Sequence, residues 1–365
     1  MKYLYSLISI ILLMSSCSKS DDDNGNLQNS SLYFPPNTSN DWSRLTPEEL
    51  GWDTSEINNL KDFLEASNTR AFIILKDGKI VIEEYFGTNI TGTATFTEDT
   101  KWYWASAGKT LTSTLVGIAQ QDGYLDIENR TSDYLGEGWT SLTSDQENLI
   151  TIKNQLTMTT GLDYEVPNLD CTNPSCLNYK VDAGNQWFYH NAPYTLLEKV
   201  IENATGLDYN DYTNQKIESK IGMNGQWITQ GYNKVYWSSA RDMARFGLLI
   251  LNNGKWNDQA IISNENYFSQ MTSSSQNLNP SYGYLWWLNG KSSIIFPSIP
   301  TSFNTSLSEA APSDLIAGMG KNGQFVEILP SQNIVVVRMG EASDGGLLPI
   351  IFHNEMWNKI NLIFE

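Results

Sequence analysis

The chain has 365 residues and a formal net charge of -18 at pH 7. Phosphate backbones and anionic lipid headgroups would repel this charge, which argues against nucleic acid and anionic membrane surfaces as partners. The length is sufficient for one large hydrophobic core or for two closely packed subdomains, and no internal repeat is evident.

The first residues predict an export signal. Residues 1–3 carry a lysine, residues 4–14 are mostly apolar, and Ser15-Ser16-Cys17 follows. Such an apolar run is short for a membrane span and typical of a signal peptide. Residues 1–16 resemble a bacterial lipoprotein signal. This resemblance implies a lipid anchor at Cys17 and a place in the cell envelope, periplasmic or on the outer-membrane surface. Ordinary secretion with an incidental Cys17 is the alternative.

Residues 17–42 begin with a polar, acidic run and are predicted to form a flexible tether. Apolar periodicity then predicts a helix from Ser55 to Ala66. A strand pair follows from Ala71 to Phe86, with a turn at Asp77-Gly78. The folded domain is therefore expected to cover residues 43–365.

Residues 104–109 read Trp-Ala-Ser-Ala-Gly-Lys and place a hydroxyl and an amine three positions apart. Apolar residues recur at helical spacing beyond Lys109 and Gly123 supplies a stop, so a helix is predicted to begin at Ser106. Residues i and i+3 share one helix face, so Lys109 would reach the Ser106 hydroxyl. The helix N-terminus would stabilise negative charge developing on oxygen. Taken alone the motif is weak, because a Ser N-cap followed by a solvated lysine matches it too.

Cys171 and Cys176 lie further along the chain. In an oxidising envelope they would form a small local disulfide that stiffens a loop over the cleft, and two free thiols are the alternative. A loop this short gives modest stabilisation, so loop shape would depend on the bond more than global stability would.

Tyr189 and Asn191 precede a predicted helix that ends near Gly206. In an extended approach, residues i and i+2 point the same way, so a phenol and an amide would face one site. His190 lies between them and would point away. A half-buried Tyr189 with its hydroxyl in water is the simpler interpretation of this motif alone.

A glycine-rich segment from Gly318 to Pro330 leads through a turn into the β-branched run 334–338, which predicts a hairpin. Gly318 and Gly320 would permit close approach of another backbone or a ligand. A plain sheet edge with bulges is the alternative.

This order of elements predicts an α/β, or α+β, fold. Residues 43–105 and 235–365 would build an antiparallel sheet flanked by helices, including a terminal helix over 348–363. Residues 106–234 would form a mainly helical part, with Ser106 at the junction, where pockets commonly occur.

The three motifs together resemble those of the penicillin-recognising serine hydrolases. Ser106-x-x-Lys109, Tyr189-x-Asn191 and the Gly318-Met319-Gly320 strand occur in that family's order and approximate spacing. The resemblance is to the class C β-lactamase-related branch, which holds esterases, D-aminopeptidases, D-alanyl carboxypeptidases and 6-aminohexanoate-oligomer hydrolases. It covers most of the chain from about residue 45 and implies a β-lactamase/transpeptidase-like fold.

The resemblance also implies acyl transfer in two steps. Ser106 would attack a carbonyl carbon, and water would later release the acyl-enzyme. Lys109 and Tyr189 would handle the proton as a coupled pair, and the sequence leaves open which of them is the base. Asn191 would orient Lys109 and the substrate amide. The backbone N–H groups of Ser106 and Lys321 would hold the oxyanion.

One departure from the family pattern affects the expected substrate. β-Lactamases and penicillin-binding proteins usually carry Lys-Thr-Gly where this chain has Gly318-Met319-Gly320. A substrate carboxylate thereby loses an anchor worth roughly 1.5–3 kcal/mol, so strong β-lactamase activity is not expected. The Lys321 side chain would still reach toward a substrate acid.

Other chemistries find little support in the sequence. His190 and His353 are the two histidines, and neither lies in a triad-like motif. No paired-histidine or Cys-x-x-Cys spacing indicates a metal site, and nothing points to a cofactor. The prediction is a serine hydrolase acting on a small-molecule or peptide ester or amide. The alternative is a non-hydrolytic or slowly acylating surface binding or sensor protein. Sequence leaves the exact substrate and the oligomeric state open.

Overall fold

The computed structural model describes residues 32–342, 344 and 346–365. The predicted signal peptide, the Cys17 lipidation site and residues 17–31 of the predicted tether lie outside the described residues and stay predictions. Residues 32–42 pack onto the body of the protein, because Arg245 donates hydrogen bonds to the carbonyls of Pro36 and Ser39 at 3.0 and 3.1 Å. The compact unit accordingly begins at Leu32.

The helices follow one another along the chain in this order: α1 (Thr54–Ala66), α2 (Gly108–Gln121), α3 (Ser132–Leu135), α4 (Ser144–Glu147), α5 (Ile152–Leu156), α6 (Asn191–Thr205), α7 (Tyr209–Thr213), α8 (Ser219–Ile221), α9 (Ala240–Leu251), α10 (Glu265–Met271) and α11 (Ile350–Phe364). Short 3-10 turns cover Pro47–Leu50, Ala105–Ala107, Pro174–Cys176 and Pro330–Gln332, and one π-helical turn covers Asn214–Glu218. No helix among the described residues is long and apolar enough to cross a membrane.

The strands are β1 (Thr69–Lys76), β2 (Lys79–Tyr85), β3 (Trp102–Tyr103), β4 (Gln226–Gln230), β5 (Asn233–Ser238), β6 (Lys255–Trp256), β7 (Gln259–Ala260), β8 (Trp287–Leu288), β9 (Ile294–Ile295), β10 (Ser302–Phe303), β11 (Ile316–Gly320), β12 (Gln324–Leu329) and β13 (Ile334–Gly340).

The main sheet combines strands from both ends of the described chain. Its order is β2-β1-β13-β12-β11-β8, and every neighbouring pair is antiparallel. In the β1–β13 pair, Ile73 lies opposite Val337. Both side chains are fully buried, as β-branched residues of a two-sided sheet should be. The predicted antiparallel sheet with flanking helices is thus confirmed.

Helices cover both faces of this sheet. Successive side chains of a strand point to opposite faces, and β12 shows both directions. Val326 faces α9, where a Cβ on Gly247 would lie 3.2 Å from its side chain and 2.5 Å from that of Val335 on β13. Glu327 faces α11, where it pairs with the ring of His353. Because Gly247 has no side chain, α9 can approach the sheet closely.

Two features of the strands differ from the sequence prediction. The single strand expected from Gly318 onward is two strands, β11 and β12, separated by a tight turn. Asn322 and Gly323 adopt φ values of 65° and 79° there, a conformation that asparagine and glycine tolerate best. The β4–β5 hairpin lies partly inside the segment predicted to be helical. It pairs with β3, immediately before Ser106.

Candidate active site

Ser106 lies in the 3-10 turn that joins β3 to α2. The sequence predicted a helix beginning at Ser106, whereas α2 begins two residues later, at Gly108. The turn is anchored through Trp104, whose backbone N–H donates to the carbonyl of Tyr236 at 2.8 Å. Ala105 has a φ of 46°, a conformation that alanine rarely adopts because its Cβ approaches the backbone there. Ser106 is therefore held at the N-terminal end of a buried helix.

Lys109 lies within hydrogen-bonding distance of Ser106. Its Nζ donates to the Ser106 Oγ at 3.1 Å, and the side chain is almost completely buried. Burial disfavours the charged amine and lowers the pKa of Lys109 to about 7, although the negative charge of Asp170 opposes this. About half of the Lys109 amines are therefore neutral near pH 7 and able to accept a proton.

Tyr189 meets the Ser106–Lys109 pair from a distant part of the chain. The Lys109 Nζ lies 5.1 Å from the centre of the Tyr189 ring. Burial raises the pKa of the phenol above its usual value, and the Ser106 side chain lowers it by a smaller amount. The phenol consequently stays protonated at neutral pH and can donate a proton. The structure thus brings Ser106, Lys109 and Tyr189 together.

A second tyrosine, which sequence reasoning missed, supports the amine. The ring centre of Tyr194 lies 4.0 Å from the Lys109 Nζ. Tyr194 stands on the first turn of α6, five positions after Tyr189. No sequence motif marks Tyr194, which resembles any apolar position of an amphipathic helix. Its π-face favours the protonated amine once Lys109 has taken up a proton.

Asn191 is the first residue of α6, and its side chain lies in the site in a different role from the predicted one. Its Nδ2 donates to the Asp170 Oδ1 at 2.8 Å. Its Oδ1 is buried without a hydrogen-bond partner in the described part of the chain, so no direct bond orients Lys109. Asp170 immediately precedes Cys171, which forms a disulfide with Cys176. The disulfide loop therefore carries a carboxylate into the site, and no sequence motif marks that carboxylate.

The two glycines of β11 have different steric roles. A Cβ on Gly320 would lie 2.6 Å from the carbonyl oxygen of Trp104 and 3.0 Å from the backbone nitrogen of Ser106. Only glycine permits this approach, which brings the residue after it, Lys321, to the nucleophile. A Cβ on Gly318 would lie 2.9 Å from the side chain of Thr110 on α2. A lysine at position 318 would thus collide with this helix.

The turn that follows Gly320 is held from two sides. The Asn322 Nδ2 donates to the Tyr103 hydroxyl at 2.8 Å, which ties the turn to the segment before Ser106. The buried Arg338 guanidinium donates to the carbonyls of Asn322 and Gly323 at 2.6 and 3.1 Å. Burial lowers the pKa of Arg338 to about 9. The sequence alone shows Arg338 as an ordinary strand residue, because its acceptors belong to a turn in another hairpin.

Several of these side chains line one cavity, whereas Tyr189 lies behind Lys109 and is not part of its lining. The cavity has a volume of about 230 Å³, and the residues of interest that line it are Ser106, Lys109, Asp170, Asn191, Lys234 and Lys321. Three of the six carry an amine and one a carboxylate. The cavity therefore offers a nucleophile, a base and charged groups to a bound molecule.

His190 does not line this cavity. Its ring is buried against Phe188, and burial lowers its pKa to about 4. The described residues contain no group of three His, Cys, Asp or Glu side chains placed to hold a metal ion.

Comparison with known proteins adds family evidence to this geometry. A family model described as beta-lactamase matches residues 58–345. A Bacillus anthracis protein described as a 6-aminohexanoate-dimer hydrolase has a similar structure, with a TM-score of 0.63 and 22% sequence identity. The alignment covers 82% of this chain and 81% of that one. No curated protein sequence matches the chain significantly.

Two other structures show the same fold. A Bacteroides dorei protein described as a beta-lactamase has a TM-score of 0.65 at 16% identity, covering 86% of this chain and 99% of that one. A penicillin-binding protein homologue from Caulobacter crescentus has a TM-score of 0.66 at 11% identity, covering 88% and 99% respectively. At these sequence identities, the comparisons show that the proteins share a fold.

Proposed function

The chain belongs to the beta-lactamase family, and on that premise we propose that it is a serine hydrolase that cleaves an ester or amide bond through an acyl-enzyme on Ser106. The observation that carries the proposal is the 3.1 Å contact between the Lys109 Nζ and the Ser106 Oγ. A buried amine with a pKa of about 7 in this contact is a suitable general base at neutral pH.

In the acylation step, neutral Lys109 takes the proton of Ser106 while the Oγ forms a bond to the substrate carbonyl carbon. The carbonyl π electrons move onto the oxygen and make a tetrahedral oxyanion. The backbone N–H groups of Ser106 and Lys321 are the proposed donors to this oxyanion. Gly320 supports the assignment, because its packing on the Ser106 backbone holds the two segments side by side. One such donor contributes about 3 kcal/mol to lowering the barrier.

Collapse of the oxyanion breaks the bond to the leaving group, which needs a proton. Tyr189 is the proposed donor, because burial keeps its phenol protonated. The phenol is then re-protonated from Lys109, which holds the proton taken from Ser106. A water molecule later attacks the acyl-enzyme with Lys109 again acting as base, and Ser106 regains its proton. The pKa directions of the two groups thus favour Lys109 over Tyr189 as the base.

The cavity also limits the substrate class. Position 318 has no cation and no room for one, so a substrate carboxylate lacks the usual anchor on this strand. We therefore propose a small ester or amide in place of a β-lactam. Short amide oligomers, of the kind for which the Bacillus anthracis protein is named, belong to this class.

A fluorophosphonate probe tests the proposal, because it phosphonylates an activated serine. Wild type should be labelled, and Ser106→Ala should not. Ser113→Ala is a matched control, because Ser113 is a buried serine on α2, the helix that follows Ser106, and its hydroxyl has no hydrogen-bond partner among the described residues. It should be labelled like wild type. Equal labelling of Ser106→Ala would contradict the proposal.

Intact-mass measurement during turnover of p-nitrophenyl acetate separates a hydrolase from a slowly acylating binding protein. A hydrolase should release p-nitrophenol over many turnovers, and any acetyl adduct should disappear once the ester is consumed. An adduct on Ser106 that persists for hours after a single turnover would favour the binding protein.

A further inference from the structure

A second, apolar cavity adjoins the Ser106 cavity. It has a volume of about 490 Å³ and lies between the segment joining β9 to β10 and the segment leading into α11. The apolar side chains that line it are Phe296, Pro297, Ile299, Leu347, Leu348 and Ile350. Of the described residues that line it, Ser298 is the one with a polar side chain. We call this cavity the apolar groove.

Leu347 lines both the apolar groove and the Ser106 cavity. Its side chain is 41% exposed, and Ile299 on the opposite wall is 46% exposed. Large apolar side chains left open to water are uninformative when scattered, but here they line one concave surface. That surface meets the cavity that holds the nucleophile at Leu347, the one described residue that lines both.

From this continuity we propose that the apolar groove binds a hydrocarbon chain of the substrate, while the ester or amide group lies at Ser106. The inference rests on the proposed function and narrows it to esters and amides that carry a medium-length alkyl or acyl chain. The volume lies within the range of sites that enclose small molecules. Among the described residues, the lining has no charged side chain, so an alkyl chain would enter without desolvating an ion from them.

Full burial of one methylene group strengthens binding about fourfold. The groove is open on one side, so a chain would gain only part of this factor at each carbon. For p-nitrophenyl esters we still expect kcat/KM for octanoate to exceed that for acetate by at least about tenfold. A parallel series of alkyl acetates varies the chain on the leaving-group side of the ester. In at least one of the two series, kcat/KM should rise with chain length.

Two isoleucine variants form a matched pair for the test. Ile299→Asn places an amide in the groove wall and should lower the octanoate-to-acetate ratio of kcat/KM by about fourfold or more. Ile351→Asn changes an isoleucine that is 68% exposed on α11 and lines neither cavity, so the ratio should stay at the wild-type value.

The outcomes distinguish the groove from the proposed function. Turnover of acetate with no rise in either series would overturn the groove assignment alone. The assignment also fails if Ile351→Asn lowers the ratio as much as Ile299→Asn does. A third contrary outcome is that Ile299→Asn abolishes sedimentation with phosphatidylcholine vesicles and leaves the ratio unchanged, because a surface that docks on lipid would behave in this way. Absence of all turnover together with absence of probe labelling at Ser106 would refute both proposals.

Discussion

Replacing Lys109 with methionine tests whether the protein holds a neutral amine beside Ser106. Burial lowers the pKa of Lys109 from 10.5 to about 7 in the folded state. The unfolded chain keeps the ordinary value, so between pH 7 and 10.5 the unfolded state binds a proton that the folded state does not. Stability therefore falls as the pH decreases through this window. Below pH 7 both states bind the proton, and the penalty stays constant.

The size of this stability penalty follows from the same pKa values. One pKa unit corresponds to about 1.4 kcal/mol, so burying Lys109 costs the folded state about 4 kcal/mol at pH 7 and about 2 kcal/mol at pH 9. Methionine has a similar length and no charge. Any change in packing contributes equally at both pH values. The increase in the free energy of unfolding caused by Lys109→Met should therefore be about 2 kcal/mol larger at pH 7 than at pH 9.

Urea unfolding of wild type and Lys109→Met at both pH values, followed by tryptophan fluorescence, measures this difference. Lys199→Met is the control, because its side chain on α6 is 58% exposed and its effect should be nearly the same at both pH values. Lys109→Met should also lower kcat/KM for p-nitrophenyl acetate by at least about 100-fold. A stability gain that is equal at both pH values, or larger at pH 9, would refute the assignment of a neutral amine.

Three further predictions concern the site and the core. Tyr189→Phe should lower kcat/KM for ethyl acetate by about 10²–10⁴, because an alkoxide leaving group loses its proton donor, and an unchanged kcat/KM would contradict that role. Asp170→Asn removes a negative charge that raises the pKa of Lys109. The rising limb of the pH profile of kcat/KM should therefore move to lower pH, and movement to higher pH would contradict the role of Lys109 as the base. Glu327→Leu leaves His353 without its buried partner and should lower the free energy of unfolding by about 3–5 kcal/mol in urea titrations. Adding His353→Phe should recover part of that loss, and additive losses would rule out the pairing argument.

The parts of the site that sequence can predict are those set by local geometry. Ser106 and Lys109 are three positions apart at the beginning of a helix, so their contact follows from the helical repeat. The strand pair β1–β2 follows equally from the alternation of its residues and from the Asp77-Gly78 turn, where both residues adopt positive φ.

The parts that sequence misses depend on tertiary packing. Asp170 lines the site from the position before the disulfide loop, and Arg338 acts on a turn in a neighbouring hairpin. The Lys321–Gly323 turn is an exception, because its Asn-Gly pair between two apolar runs is a hairpin signal that the sequence does carry. The β4–β5 hairpin likewise carries a turn signal in the sequence, because Gly231 and Tyr232 alone separate its two strands and Gly231 adopts a positive φ.

The position of β13 in the main sheet has a consequence for biosynthesis. This strand lies between β1 and β12, and the bond from the Arg338 Nε to the Thr69 hydroxyl joins residues 269 positions apart. Contacts of such long range form slowly and cannot form on the ribosome until the late strands have emerged. The helix that carries Ser106 is synthesised much earlier, yet the turn that faces it depends on Arg338. If the chain is the proposed hydrolase, it should therefore remain inert toward esters during synthesis until β13 has left the exit tunnel.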